Sequence, residues 1–195
     1  MEIRPRVMRA DSSERVALEL GGWHVSARSW GAQLDAADVD RAALRAAIAR
    51  VAPLATTRSL NEDDVAAVLA LDERTLGDYP GGPATRHQAL SRARASVNES
   101  RYGVGAFSST GQLLAMSYLD VDLANTTAET DFTVVAPEAR ARGLARAVKA
   151  DAVLTLLARG VRRFRTGGSS ENSAIIATNN ALGYVRDEEW VTLMP

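Results

Sequence analysis

Phe132-Thr133-Val134-Val135-Ala136-Pro137-Glu138-Ala139-Arg140-Ala141-Arg142-Gly143-Leu144-Ala145 joins an apolar, β-branched run to the start of a long helical pattern. Val134 and Val135 suit a strand, Pro137 interrupts it, and the helix opens near Gly143. A helix start leaves backbone N–H groups unpaired and carries partial positive charge, so it attracts phosphate. Gly143 lets the backbone come close to such a group, Ala145 keeps the first turn uncrowded, and Arg140, Arg142 and Arg146 add charged donors. On its own the segment is either an anion-binding helix start or an ordinary loop with solvated arginines.

Downstream, Leu144, Val148, Ala152 and Leu156 recur at four-residue intervals, and Gly160 stands where a helix-ending glycine belongs, which predicts a helix over 143–159. A strand at Phe164–Thr166, a helix from Glu171 to Ala181 stopped before Gly183, and a last strand at Glu189–Leu193 follow. Upstream, Tyr102–Phe107 and Leu113–Val121 flank Ser108-Ser109-Thr110-Gly111 and read as an antiparallel hairpin, with a further strand at Asp131–Val135. Thr56–Leu60 is extended, and Asn61 caps a helix that runs to about Thr75 with Glu62, Asp63 and Asp64 in its first turn. Gly77-Asp78-Tyr79-Pro80-Gly81-Gly82-Pro83 is a loop, and a second helix is expected from Thr85 to about Val97. From residue 56 the order is strand, two helices, three strands, helix, strand, helix, strand: a mixed α/β fold.

Residues 1–54 form an added arm, with 55–195 as the main domain. Val16–Leu20 and Trp23–Ala27 on either side of Gly21-Gly22 predict a hairpin, and Asp40–Val51 predicts a helix ended by Pro53. Four readings of the arm stand open: a completion of the sheet, a lid over a cleft, a homodimer contact, or the remnant of a tandem half.

The chain of 195 residues carries a net charge of −1, which argues against a nucleic-acid partner held by phosphate neutralisation. Between Glu138 and Arg165, however, eight basic residues face two acidic ones, a local balance of +6. Absence of cysteine excludes disulfides, thiolate metal sites and a cysteine nucleophile. No stretch approaches the roughly 20 apolar residues of a membrane span, and no apolar leader follows Met1–Ala10, so no membrane partner and a cytoplasmic location are expected. His24 and His87 have no partner at metal-ligand spacing, and no metal is expected.

The segment Val134 to Ala145 resembles the acetyl-CoA motif of the GNAT superfamily, [Q/R]-x-x-G-x-[G/A], with its preceding Val-x-Pro-Glu strand end. Gly160 to Thr166, Asn172, Asn179 and Leu182-Gly183-Tyr184 are similar to the second half of that family, and the likeness spans roughly Thr56 to Leu193. The resemblance implies a central, mostly antiparallel twisted sheet with a splayed strand pair, flanked by helices. It also implies acetyl-CoA as co-substrate, and direct transfer of the acetyl group to the amine of a small-molecule acceptor in a ternary complex, without a covalent enzyme intermediate. A CoA-binding module without catalysis, or a protein N-acetyltransferase, are the alternatives.

The same resemblance assigns cofactor contacts to Val134, Val135, Arg140, Ala141, Arg142, Gly143, Leu144, Ala145 and Arg146, with Val134 and Val135 meeting the pantetheine and the thioester oxygen. Asn172 and Asn179 are expected beside the pantetheine or the sulfur. Asn179 also marks a departure, because many relatives carry there a tyrosine that protonates the leaving thiolate, which asparagine cannot do. Glu129 and Asp131 are the candidate catalytic bases; residues 129, 131 and 133 share one face if the strand is regular. Asp78 and Tyr79, in the loop that borders the acceptor site in such proteins, are the expected acceptor contacts.

Overall fold

A computed structural model describes residues 4–80 and 82–195. Gly81 of the breaker-rich loop, and Met1 to Ile3 of the stretch searched for a leader, lie outside the described residues. Eight strands form one sheet: β1 (Arg6–Arg9), β2 (His24–Asp35), β3 (Thr56–Ser59), β4 (Arg101–Phe107), β5 (Leu113–Asp122), β6 (Thr127–Val135), β7 (Arg163–Ser169) and β8 (Val185–Met194). Their order is β1-β8-β2-β7-β6-β5-β4-β3. Every pairing is antiparallel except β6 with β7, which run parallel and are paired only over Thr127–Glu129 against Arg163–Arg165. Beyond Glu129 and Arg165 the two strands part, which leaves facing edges with unsatisfied backbone groups in the middle of the sheet.

Helix α5 (Leu144–Ala158) is the centre of the packing. Its Leu144, Ala147, Val148, Ala152, Val153, Leu156 and Leu157 are buried, and it packs on β4, β5 and β6. Helix α2 (Arg41–Val51) covers α5 through Leu44, Ala47 and Val51. Helix α3 (Val65–Thr75) packs on β5, next to the single turn α4 (Arg92–Ala95), while α6 (Ser173–Asn180) lies against α5. Trp30 and Leu34 of β2 and Leu44 and Val51 of α2 belong to the same core as Tyr118, Leu156 and Phe164. Among the described residues no helix is long and apolar enough to cross a membrane.

Three local expectations are overturned. The hairpin predicted around Gly21-Gly22 is instead α1 (Ser13–Leu20) followed by β2. Ser12 caps it by accepting from the Glu14 N–H, Arg15 pairs with Glu19 one turn on, and Gly21 donates to Ala17 O. The two glycines thus stop a helix, with Gly22 at φ 93°, and Val16-Ala17-Leu18-Glu19-Leu20 shows how a short apolar run fits either period. The helix predicted from Thr85 to Val97 shrinks to α4, preceded by a 3-10 turn at Pro83–Thr85. A tertiary bond explains the difference: Asp72 on α3 binds the His87 ring through one oxygen and the Leu90 N–H through the other, which keeps 86–90 out of a helix.

The third concerns β6, which is not regular. Phe132 pairs with Tyr118 but Thr130 pairs with Leu119, so Asp131 is an extra residue at a bulge. Because Tyr118 and Leu119 point to opposite faces, the bulge sends Thr130 toward one side of the sheet and Phe132 toward the other.

Candidate functional site

The parting of β6 and β7 opens two adjoining cavities. The first, of about 760 Å3, is lined by Thr133, Val134 and Val135 of β6, by Ala139 to Arg146, by Asp78 and Tyr79, and by Glu171 to Ile175 of the next turn. Ala47 and Arg50 of α2 complete it. At its floor Gly143 caps α5 at φ 85° and Ala141 holds φ 58°, two left-handed residues in one short turn. Neither backbone nor side-chain acceptors are found for the N–H groups of Ala141 to Arg146 among the described residues. Arg50, Arg142 and Arg146 have no ion-pair partner there either, so unpaired donors and positive charge converge on one spot.

Arg140 is already engaged: its Nε donates to Val135 O at 3.2 Å and its guanidinium is ion-paired with Asp78. Asp78 therefore sits in the cationic cleft rather than in the second cavity. Asn172 caps α6 through a bond from the Ile175 N–H and lines both cavities. Asn179 is 1% exposed, lines neither cavity, and its amide nitrogen and oxygen have no partner.

The second cavity, of about 630 Å3, shares Tyr79, Pro80, Thr133, Asn172 and Ile175 with the first. Glu129, Thr130, Asp131, Phe132, His87 and Lys149 line it, with Trp30 and Trp190 on the far wall. Glu129 has no hydrogen bond or ion pair among the described residues. Asp131, in contrast, accepts from Arg94 and from Arg101, both at 2.7 Å. Asp131 is thus held by two guanidinium groups, whereas Glu129, opposite Arg165 in the sheet and coupled to it through charge, keeps both oxygens free of hydrogen bonds among the described residues.

Tyr79 stands on the shared wall. Its hydroxyl is buried without a partner, and burial together with the Asp72, Asp131 and Asp78 charges pushes the phenol above its usual range, so it stays a proton donor. His87, for which the sequence offers no partner at metal-ligand spacing, stacks on Tyr79 with ring centroids 4.6 Å apart and lies against Phe132 with centroids 4.5 Å apart. Its Nε2 lies 2.6 Å from Asp72 Oδ1. No spacing rule could have announced this pair, since 15 residues and a loop separate the partners. Asp72→Ala strands both the His87 ring and the Leu90 N–H, and is expected to cost about 2–4 kcal/mol, read from urea unfolding midpoints.

Lys149, from the middle of α5, was likewise not singled out as a site residue. It is 2% exposed, and its Nζ donates to Thr130 Oγ1 on β6 at 3.0 Å and to Thr166 Oγ1 on β7 at 3.3 Å. The Tyr184 ring lies 5.4 Å away.

The sequence matches no family model and no curated protein. Solved structures do resemble it. A tandem GNAT protein from the clavulanic acid biosynthesis pathway is 20% identical with a TM-score of 0.67, covering 98% of this chain and 62% of that one. A GCN5-related N-acetyltransferase from Sphaerobacter thermophilus is 14% identical with a TM-score of 0.70, covering 98% and 58%. The ribosomal-protein-S18-alanine N-acetyltransferase from Escherichia coli is 19% identical with a TM-score of 0.55, covering 72% and 92%. This chain spans about three-fifths of the first two. The sheet parted between β6 and β7, the cationic turn before α5 and these likenesses together establish that the chain has the fold of the GNAT acetyltransferases.

Proposed function

We propose that the protein transfers the acetyl group of acetyl-CoA to the amine of a small molecule held in the second cavity. The observation that carries this reading is the junction of the two cavities at Tyr79 and Thr133, one side cationic and rich in free N–H groups, the other bearing an open carboxylate. The pyrophosphate fits the turn from Arg140 to Arg146, where N–H groups and guanidinium groups replace its water shell. The amide-bearing pantetheine suits the open edges of β6 and β7, as an added strand suits any sheet edge. Val134 and Val135 then meet the thioester, with Asn172 at the turn beyond.

Glu129 is the carboxylate that attracts and holds the ammonium form of the acceptor, whereas Asp131 is neutralised by Arg94 and Arg101 and organises the wall. Glu129→Gln is expected to raise the KM for the amine about tenfold while kcat changes little, the mark of lost ground-state binding. The reading is tested by first measuring acetyl-CoA binding and then screening amines for release of CoA thiol. Binding with no thiol release from any amine would favour a CoA-binding module without catalysis.

A further inference from the structure

We propose that the ε-amine of Lys149, seated where β6 and β7 part and open to the second cavity, takes the proton from the acceptor's ammonium group before attack. The inference rests on the acyl-transfer reading and adds a residue to it. An amine acceptor arrives protonated and has no lone pair until one proton leaves. Of the three protons on its nitrogen, one stays on the amide product, one ends on the CoA thiolate and one reaches solvent. The N–C bond forms as the C–S bond breaks. Lys149 receives the first of the departing protons, and releases it through the cavity mouth.

Four features of its surroundings support this role. The amine bridges Thr130 and Thr166, the residues next after the last paired positions of the two strands, so it lies at the apex of the opening. No carboxylate makes an ion pair with it among the described residues, so no opposite charge holds it in the charged form. Every other charge near the apex is accounted for. On β6, Asp131 is bound by Arg94 and Arg101, and Glu129 lines the cavity without bonding the amine. On β7, Arg165 is bound by Asp187 and Glu188 and also feels the Glu129 charge, while just before β8 the buried Tyr184 phenol is pushed up and stays neutral. Burial outweighs the two hydroxyl bonds and the Tyr184 ring, which favour the charged form, and pushes the amine down to about 7, where a base is most effective near neutral pH.

His87 is the other proton acceptor on the wall, but its Nε2 is committed to Asp72 and its ring is held between Tyr79 and Phe132. Arginine at 149 would remain a cation at any accessible pH. These differences give the test its arms.

Lys149 is the only lysine in the chain, so protein grown with lysine carbon-13-labelled at Cε gives a single side-chain signal. Titrated in the presence of CoA, that signal is expected to shift with a midpoint near 7; a midpoint near the ordinary lysine value of about 10.4 overturns the proposal. With an amine found in the thiol-release screen, the acidic limb of kcat/KM follows the same midpoint. K149M and K149R both lower kcat/KM by about 10²–10⁴-fold and lose that limb, with acetyl-CoA affinity within twofold of the parent. Rescue by K149R would show that a positive charge is what matters there, and loss of the limb in H87Q while K149M keeps it would move the role to His87. Either result overturns the proposal. The lysine titration needs no acceptor, so failure of the lysine assignment and failure of the acyl-transfer reading, seen as no thiol release by the parent protein, are separate results.

Discussion

Arg140→Glu combined with Gly143→Val is expected to weaken acetyl-CoA binding by about a thousandfold, measured by calorimetry or competition with a fluorescent CoA. Two independent effects add. Gly143 caps α5 at φ 85°, and a Cβ there would meet only Val51 Cγ1 at 3.6 Å, so the obstacle is conformational rather than steric. A β-branched residue in that region costs about 1–3 kcal/mol and tends to turn the free N–H groups away from a common point. The second effect is charge. Glutamate removes a guanidinium donor worth about 1.5–3 kcal/mol and puts a negative charge beside both the pyrophosphate and Asp78. Together the losses come to about 4 kcal/mol, or three powers of ten in affinity. Gly143 and Arg140 lie at an exposed turn, so the core packing of α5 is left intact and the variant should melt as a folded protein. Unchanged affinity in a folded variant would remove the turn from the cofactor site.

Lys149→Met is expected to remove a steep dependence of stability on pH. Below about pH 7 the amine is charged in the folded and the unfolded chain alike, and the folded state bears the whole cost of desolvating it. Between about 7 and the ordinary lysine value near 10.4 the folded chain holds the amine neutral while the unfolded chain still binds a proton. The unfolded state then binds more protons, so stability rises with pH, by about 1.4 kcal/mol per unit. Methionine fills a similar volume without a charge and lacks this slope. The variant is therefore the more stable protein at pH 6, and the parent gains on it steadily from pH 7 to 9. Urea unfolding at intervals of one pH unit measures the difference; parallel curves for the two proteins would show that Lys149 stays charged in the fold.

Both variants alter α5 or the turn that leads into it, yet the residues differ in how visible they were beforehand. Arg140 to Ala145 could be read directly, because a glycine and arginines between a strand end and a helical period have a local physical meaning: unpaired N–H groups, a positive dipole end and a permissive φ. Lys149 could not. In sequence it occupies one position in an apolar helix, and only the burial of that face, with Thr130 and Thr166 arriving from two different strands, gives it an unusual environment. Asp72 and His87 were hidden for the same reason. Asp131 shows the limit most plainly: alternation placed it with Glu129, and both do line one cavity, but only the folded chain brings Arg94 and Arg101 to Asp131.

The sequence by itself determined the order of the elements from residue 56 onward, the long helix with its glycine start and glycine stop, and the arginine-bearing turn that precedes it. These follow from periodicity, capping and backbone freedom, which act over a few residues. Tertiary structure alone decided that β2 lies between β7 and β8, that Gly21-Gly22 ends a helix rather than turning a hairpin, and that Arg50 reaches the cationic cleft. It also decided which carboxylate is open and where the only lysine is buried. Strand neighbours, ion-pair partners and desolvation depend on groups far apart in the chain, and no local pattern records how folding brings them together.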